Sequence, residues 1–183
     1  MPDSIINTDI FINQYFASIQ SPILVKIMIV ITNIASPVGM TILAIVFISA
    51  LTYKRRIYDS ILVAFSMFFG LISYSLIKLL IERPRPENAI IHMNDYSFPS
   101  GHSTMSIIFF LLLITIFKDE IRSKIWKAIF IFLCAILFLL IGFSRIYLGE
   151  HWLSDVLGGY ILGIFWIIIS SVAINKIAHK NGV

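Results

Sequence analysis

Apolar stretches separated by short charged loops are the feature that most limits what this chain can fold into. Four or five of them are long enough, or nearly so, to cross a hydrocarbon core of about 30 Å as helices. With 58% hydrophobic and only 13% charged residues, the composition excludes an ordinary soluble domain. Because backbone groups exposed to lipid must form their hydrogen bonds within their own segment, we expect every span to be an α-helix. The predicted spans are Ser36–Thr52, Ser60–Ile81, His102–Phe117, Trp126–Phe143 and Asp155–Asn175.

The first 35 residues follow a different pattern. Their apolar residues recur at roughly helical spacing, which predicts an amphipathic helix lying on the membrane surface. Pro22–Ile34 is apolar but short, and we interpret it as interfacial or as dipping into the membrane; alternatively it is a sixth span, which would place the N-terminus in the cytoplasm. The predicted fold is therefore all-α: a polytopic membrane helix bundle with five or six transmembrane helices and an N-terminal amphipathic interfacial helix. We expect residues 1–35 to form the interfacial segment and residues 36–183 the membrane-embedded domain.

The basic residues predict which end of the bundle faces the cytoplasm. Nine of the 14 lysines and arginines fall in two loops and the C-terminal tail, which the predicted spans bring to one side. By the positive-inside rule that side is cytoplasmic. We therefore expect a multi-pass protein of the cell membrane whose remaining polar clusters face outside the cytoplasm. Those clusters contain Lys78, Arg83, Arg85, Pro99–His102, Arg145 and His151.

The net charge of +4 does not indicate a nucleic-acid partner, because topology and the outer clusters account for most of the basic residues. The single cysteine, Cys134, lies inside an apolar run, so an intrachain disulfide is excluded. Membrane lipids are the expected surroundings, and we infer no obligatory protein partner.

The first polar cluster, Lys78–Pro86, follows the outer end of a span. Lysine supplies a point charge and arginine a planar fork of donors, and both suit phosphate oxygens. A simpler interpretation is that Lys78 snorkels to the interface while Arg83 and Arg85 contact lipid headgroups. A basic cluster on the outer side runs against the orientation bias, however, and this favours a functional role.

The second cluster is Phe98–Ser103, directly before an apolar run. Ser100 is a good N-cap for the following helix, and Gly101 lets the backbone approach a ligand closely. A helix N-terminus is an anion site, and His102 would stand at its mouth. The alternative is a capped helix start with an incidental histidine.

The third cluster runs from Ser144 to Asp155. His151 and Asp155 are four residues apart, so on a helix they would share one face. A carboxylate there holds one imidazole nitrogen as N–H and leaves the other free to attack. The alternative is a structural histidine–aspartate pair that caps a helix.

Several other residues give weaker signals. His92 and Asp95 could contact a substrate, but the simpler interpretation is that both are solvated loop residues. Glu150 could act as an acid, although no spacing gives it a partner. We assign Tyr147 and Trp152 to the aromatic belt at the membrane interface.

No metal site is predicted, because the sequence has no His-Glu-x-x-His motif, no cysteine cluster and no group of carboxylates with the histidines. Together, the three clusters bring several cations, a helix N-terminus, two histidines and one aspartate to one membrane surface. That combination suits displacement at phosphorus. Cations neutralise the phosphoryl oxygens, one histidine attacks and the other protonates the leaving group.

The same residues resemble the three-part signature of the type 2 phosphatidic acid phosphatase superfamily. That signature is Lys, six residues, Arg-Pro; then Pro-Ser-Gly-His; then Ser-Arg, five residues, His, three residues, Asp. The chain matches it with Lys78…Arg85-Pro86, Pro99-Ser100-Gly101-His102 and Ser144-Arg145…His151…Asp155. The resemblance covers about Ser36 to Asn175, and the first 35 residues carry no diagnostic match.

The resemblance implies a role for each motif residue. His151 resembles the nucleophile, Asp155 its orienting partner, and His102 the acid that protonates the leaving oxygen and later activates water. The implied phosphate-binding residues are Lys78, Arg85, Ser100, Gly101 and Arg145. Arg83 falls outside the signature, so we expect at best an auxiliary contact from it. The family uses no metal or other cofactor.

We therefore expect a membrane phosphatase that hydrolyses a lipid phosphate or diphosphate through a phospho-histidine intermediate. Undecaprenyl diphosphate, phosphatidylglycerol phosphate and phosphatidic acid are the candidate substrates. One alternative is a phosphotransferase or sugar-phosphate phosphatase with the same site. Another is a non-catalytic transporter or binder of anionic lipids, which would leave His102 and the spacing of His151 and Asp155 unexplained.

Overall fold

A computed structural model describes the chain over residues 2–91 and 93–180, apart from the side chains at positions 175 and 178–180. Within these residues the chain is all-helical, without strands, which confirms the all-α part of the predicted fold. Seven helices follow one another: α1 (Asp3–Ser18), α2 (Pro22–Ile34), α3 (Pro37–Tyr53), α4 (Ile57–Ile81), α5 (Gly101–Phe117), α6 (Lys124–Tyr147) and α7 (Leu153–Lys180).

Three of the described helices, α4, α6 and α7, are long and apolar enough to cross a membrane. Helices α2 and α3 meet the same criterion as a pair that bends by 46° at the short break between them, and α5 is a shorter apolar helix. The prediction of a multi-pass helical membrane protein is confirmed. The number of spans stays a prediction, because length and composition do not decide how α2, α3 and α5 cross.

Helix α5 lies at the centre of the bundle. Its first nine residues, from Gly101 to Phe109, are all buried, and it packs against α4, α6 and α7. Two glycines of α7 permit this packing: a Cβ on Gly159 would lie 2.7 Å from the Ser100 carbonyl oxygen, and one on Gly163 would lie 2.3 Å from Ile107 Cγ2. The small-residue spacing of α7 therefore brings the beginnings of α5 and α7 together within one chain.

The beginning of α5 is fixed by hydrogen bonds on both sides. Ser100 Oγ accepts a hydrogen bond from Ser103 N, which confirms the predicted N-cap. Ser100 N donates to the Asp155 carbonyl oxygen at 3.0 Å. The second and third polar clusters of the sequence are consequently adjacent in space.

Helix α1 turns a polar side towards the bundle. Its only buried residues are Asp9 and Asn13, whereas Phe11 is 69% exposed and Tyr15 is 53% exposed. The apolar side of the helix thus faces outward, as on a membrane-facing amphipathic helix. Its position relative to the bilayer stays a prediction.

Helix α2 packs across the end of α6. Ser21 N, just before α2, donates to the Tyr147 hydroxyl at 3.0 Å, and Thr32, near the end of α2, accepts from Arg145. Tyr147 is only 2% exposed, so its assignment to the aromatic belt is wrong. Its hydroxyl instead anchors the connection between α1 and α2.

Candidate active site

The three polar clusters meet at one end of the bundle, where α4 ends and α5 and α7 begin. Arg85 Nη1 lies 3.2 Å from His151 Nε2, which joins the first cluster to the third. The beginnings of α5 and α7 join the second cluster to the third. Seven of the eight predicted site residues are buried at this end, among them Lys78 at 8% exposure and His151 at 2%, and the eighth, Arg85, is partly buried.

Two predicted phosphate-binding residues share one loop carboxylate. Lys78 Nζ lies 2.7 Å from Asp95 Oδ2, and Arg85 Nη2 lies 2.6 Å from Asp95 Oδ1. Burial raises the pKa of Asp95, but the hydrogen bond and charge of Lys78, together with Arg85, outweigh it and hold that pKa below its usual value. Asp95 is therefore not a simply solvated loop residue. Its charged carboxylate lies between two cations that were predicted to bind phosphate. The other loop candidate, His92, lies outside the described residues.

His151 is held by groups on both ring nitrogens. Nδ1 lies 3.4 Å from Asp155 Oδ2, which also accepts a hydrogen bond from Trp152 N at 2.9 Å. An N–H at Nδ1 leaves the lone pair of Nε2 available, and that nitrogen faces Arg85. Burial lowers the pKa of His151 well below its usual value, and the charges of Arg145, Arg85 and Lys78 lower it further. The ring is therefore a neutral imidazole, and its Nε2 lone pair accepts a hydrogen bond from Arg85 Nη1.

The four-residue spacing predicted that His151 and Asp155 share one face of a helix. In the structure they do not lie on one helix. Helix α6 ends at Tyr147, Gly149 adopts a φ of 68°, and α7 begins only at Leu153. His151 accordingly lies on the turn between the two helices. Asp155, in the first turn of α7, reaches back to it, as a capping carboxylate does.

Arg145 is buried, with 2% side-chain exposure, and forms an ion pair with Glu150, which is 1% exposed. Thr32 accepts a second hydrogen bond from its guanidinium. A buried guanidinium is costly unless it is paired, so Glu150 compensates the charge of Arg145. Spacing gave Glu150 no partner, because the two residues are on either side of the turn at Gly149.

Arg83 does not lie among the phosphate-binding cations. Its Nη1 bonds Asp155 Oδ1 and Ser154 Oγ, each at 2.6 Å. Its Nη2 bonds Asp9 Oδ2 at 2.6 Å. The expectation of an auxiliary phosphate contact is therefore replaced by an ion-pair bridge between α1 and α7. Sequence reasoning missed Asp9, and its only signal was an acidic residue within an otherwise apolar helical pattern.

The beginning of α5 supplies the remaining predicted residues. The N–H groups of Ser103 and Thr104 both bond to Ser100, while those of Gly101 and His102 are left without a partner inside the helix. A Cβ on Gly101 would lie 2.9 Å from Tyr74 Cε2, so close packing also requires glycine here. The His102 side chain is 7% exposed, and it lies within electrostatic range of His151, Arg145 and Arg85.

This arrangement can bind a phosphate and attack it. Lysine and arginine side chains neutralise anionic oxygens, free N–H groups at a helix N-terminus add donors, and a neutral imidazole supplies the lone pair. A second imidazole within electrostatic range of the first can exchange protons with the leaving group. All eight predicted site residues lie at this end of the bundle.

The comparisons with known proteins point to the same chemistry. A family model described as the PAP2 superfamily matches residues 59–178. The chain is 29% identical over 161 residues to phosphatidylglycerophosphatase B of Bacillus subtilis, covering 86% of this chain and 79% of that protein. It is 31% identical over 166 residues to undecaprenyl-diphosphatase BcrC of the same organism, again covering 86% and 79%.

A solved structure shares the fold. The crystal structure of a transmembrane PAP2-type phosphatidylglycerolphosphate phosphatase from Bacillus subtilis matches with a TM-score of 0.86 and 25% identity. The match covers 96% of this chain and 89% of that one. It includes the segments before residue 59, which the family model does not reach.

Proposed function

Because this chain belongs to the PAP2 superfamily, we propose that it is an integral membrane phosphatase that hydrolyses the phosphate of a lipid headgroup through a phospho-histidine intermediate. The observation that carries the proposal is the state of His151. Asp155 holds its Nδ1, its Nε2 contacts Arg85, and the buried ring lies within electrostatic range of Arg145 and Lys78. A lipid binder would not need a neutral, oriented imidazole at that position.

The reaction takes place in two displacements. First, His151 Nε2 attacks phosphorus, the bond between phosphorus and the lipid oxygen breaks, and His102 donates its proton to that oxygen. Then His102 takes a proton from water, the resulting hydroxide oxygen bonds to phosphorus, and the phosphorus–nitrogen bond breaks to release inorganic phosphate. Asp155 stabilises the positive charge that His151 acquires in the first step.

The phosphoryl oxygens are bound by Lys78, Arg85 and Arg145, with the Ser100 hydroxyl and the Gly101 N–H as further donors. In the substrate-free site, Asp95 pairs with the first two of these cations. We therefore infer that the substrate phosphate takes the place of the Asp95 carboxylate. A more highly charged phosphate competes well for two cations against a carboxylate that is 48% exposed.

The lipid tail can occupy an apolar cavity beside Arg83. This cavity has a volume of about 380 Å³ and is lined mainly by α1 and the end of α4, with Ile6, Ile10, Ile81, Pro84 and Trp152 among its residues. An apolar cavity next to a few polar groups is the usual form of a lipid or small-molecule site. The N-terminal segment thus helps to select the lipid.

We further propose that the chain crosses the membrane five times, through α3 to α7, with the active site outside the cytoplasm. Both ends of α2 contact residues at the end of α6, through Tyr147 and Arg145, which favours an α2 that lies at the active-site end instead of crossing. Helix α1 contacts the same end through Asp9. Residues 1–35 then form the interfacial segment, and residues 36–183 the membrane-embedded phosphatase domain.

The function is tested by phosphate release from the purified protein. The panel is undecaprenyl diphosphate, phosphatidylglycerol phosphate, phosphatidic acid and a soluble sugar phosphate, measured side by side in the same detergent. We expect turnover of at least one lipid phosphate and little turnover of the sugar phosphate. A preference for the sugar phosphate would contradict the lipid assignment. Transfer of the phosphoryl group to an added alcohol instead of water would indicate a phosphotransferase.

Chelators should leave the activity unchanged. Among the described residues, no three His, Cys, Asp or Glu side chains are grouped so that they could hold a metal ion. The proposed mechanism uses only side-chain cations on the phosphate. The measurement is phosphate release with and without EDTA. A loss of activity that a divalent cation restores would overturn the metal-free mechanism.

The dependence of kcat/KM on pH should be bell-shaped, with an acid limb below about pH 6.5, the ordinary pKa of histidine. Protonation of His151 removes the nucleophile, and burial with the nearby cations lowers the pKa at which this happens. On the alkaline side, activity falls as His102, which needs the negative charge of the bound phosphate to keep its proton, loses the proton that it donates. Phosphorus NMR gives the ionisation of the substrate separately. An acid limb above pH 6.5 that the substrate does not explain would contradict a neutral His151.

A further inference from the structure

Helix α1 buries a carboxylate. Asp9 is 2% exposed, although it lies on a helix whose large apolar side chains mostly face outward. Burial of a charged carboxylate is strongly unfavourable unless the group is paired and hydrogen-bonded. The partners of Asp9 therefore indicate why this helix turns its polar side towards the bundle.

Asp9 makes three polar contacts, to two residues beside the proposed active site. Its Oδ2 lies 2.6 Å from Arg83 Nη2 and accepts a hydrogen bond from Ser154 Oγ at 2.5 Å. Its Oδ1 accepts from Ser154 N at 2.9 Å, and that N–H belongs to the first turn of α7. Asp9 thus accepts a hydrogen bond from one of the backbone N–H groups that have no partner within α7. That N–H group belongs to Ser154, close to His151 in sequence.

Arg83 links Asp9 to the nucleophile. Its other nitrogen, Nη1, bonds Asp155 Oδ1 at 2.6 Å, while Asp155 Oδ2 faces His151 Nδ1 at 3.4 Å. The guanidinium also lies over the Trp152 ring, 5.5 Å from its centroid. A continuous row of polar contacts therefore runs from Asp9 through Arg83 and Asp155 to His151.

Building on the function proposed above, we propose that Asp9 is a positioning residue for phosphoryl transfer, acting through Arg83 and Asp155 on His151. Arg83 bonds one carboxylate with each of its two terminal nitrogens. Without the charge of Asp9, both nitrogens are free to bind Asp155 in the bidentate geometry that arginine favours with a carboxylate. Oδ2 of Asp155 would then turn away from Nδ1, and the imidazole would lose the contact that orients it.

The test compares Asp9→Asn with two variants on the same helix. Asp3→Asn removes an exposed carboxylate, and Asn13→Ala alters the other buried residue, whose Nδ2 has no hydrogen-bond partner. We expect Asp9→Asn to lower kcat by about 10- to 100-fold, the range for a group that orients a functional histidine through another residue. The rate of phosphoenzyme formation in a single turnover should fall by the same factor. The inhibition constant of inorganic phosphate should not change, because Lys78, Arg85 and Arg145 are untouched.

A double-mutant cycle tests the route through Arg83. Asp9→Asn should have little further effect on kcat in an Arg83→Ala background, because the link is already broken. Effects that multiply instead would show that Asp9 does not act through Arg83. Equal kcat losses in Asp9→Asn and Asn13→Ala would assign Asp9 to helix docking alone and would also overturn the proposal.

Two further controls keep the outcomes separate. If Asp9→Asn yields no folded protein, Arg83→Ala breaks the same link from its other side, and a kcat equal to that of the wild type would then refute the positioning role. If the wild-type protein releases no phosphate from any lipid, the proposed function itself fails. If the wild type is active and Asp9→Asn matches it, only the role of Asp9 fails.

Discussion

Replacing His151 by alanine should lower phosphate release by about 10⁴- to 10⁶-fold, the range seen when a catalytic nucleophile or its base is removed. No other described side chain combines a neutral imidazole, an orienting carboxylate and contact with a phosphate-binding arginine. Binding should survive, because the cations that hold the phosphate remain. The measurements are phosphate release and equilibrium binding of the same lipid phosphate, made on one preparation of folded protein.

His179→Ala is the matched control, since it removes a histidine that lies outside all three motifs. It should turn over like the wild type. The His151→Ala protein should also form no phosphoenzyme when it is mixed with labelled substrate. A variant that retains more than a few per cent of wild-type turnover would show that another group attacks phosphorus. Loss of binding together with turnover would instead indicate that His151 holds the substrate.

Hydropathy predicted most of the bundle because lipid exposure demands long apolar helices. Predicted and observed helices end together at Ile81 and at Phe117. Helix α6 differs from its prediction, because it continues to Tyr147, beyond the predicted end at Phe143. The additional helical turn contains Arg145. An apolar pattern in the sequence ends at a charged residue, although the helix itself continues through it. The helix continues because Glu150 and Thr32 compensate that charge.

The motifs predicted which residues share the site, but not most of their partners. The four-residue spacing of His151 and Asp155 predicted that they pair, although the contact forms between a turn and the first turn of α7 and not along one helix face. Asp9 and Arg83 are 74 residues apart in sequence, and only tertiary packing of α1 brings them together. Asp95 was interpreted as a solvated loop residue because no residue close to it in sequence indicated a cationic partner. Such long-range ion pairs depend on the fold and have no local pattern.

Replacing His102 by alanine should slow hydrolysis by an amount that depends on the leaving group. A lipid alkoxide needs a proton as it departs, so the loss should be about 10²- to 10⁴-fold, the usual contribution of a general acid. A nitrophenolate is stable without a proton. We therefore expect a much smaller loss in the first displacement when the substrate is nitrophenyl phosphate, measured as the rate of nitrophenol release in a single turnover.

The second displacement distinguishes a general acid from a residue that merely binds phosphate. Water must lose a proton to attack the phospho-histidine, and His102 is the group proposed to accept it. The His102→Ala protein should consequently release one equivalent of nitrophenol rapidly and then stall, with labelled phosphate still bound to His151. The His151→Ala protein should give no such burst. An equal loss on lipid and nitrophenyl substrates, without a burst, would mean that His102 only contributes to binding, because weaker binding slows every substrate regardless of its leaving group.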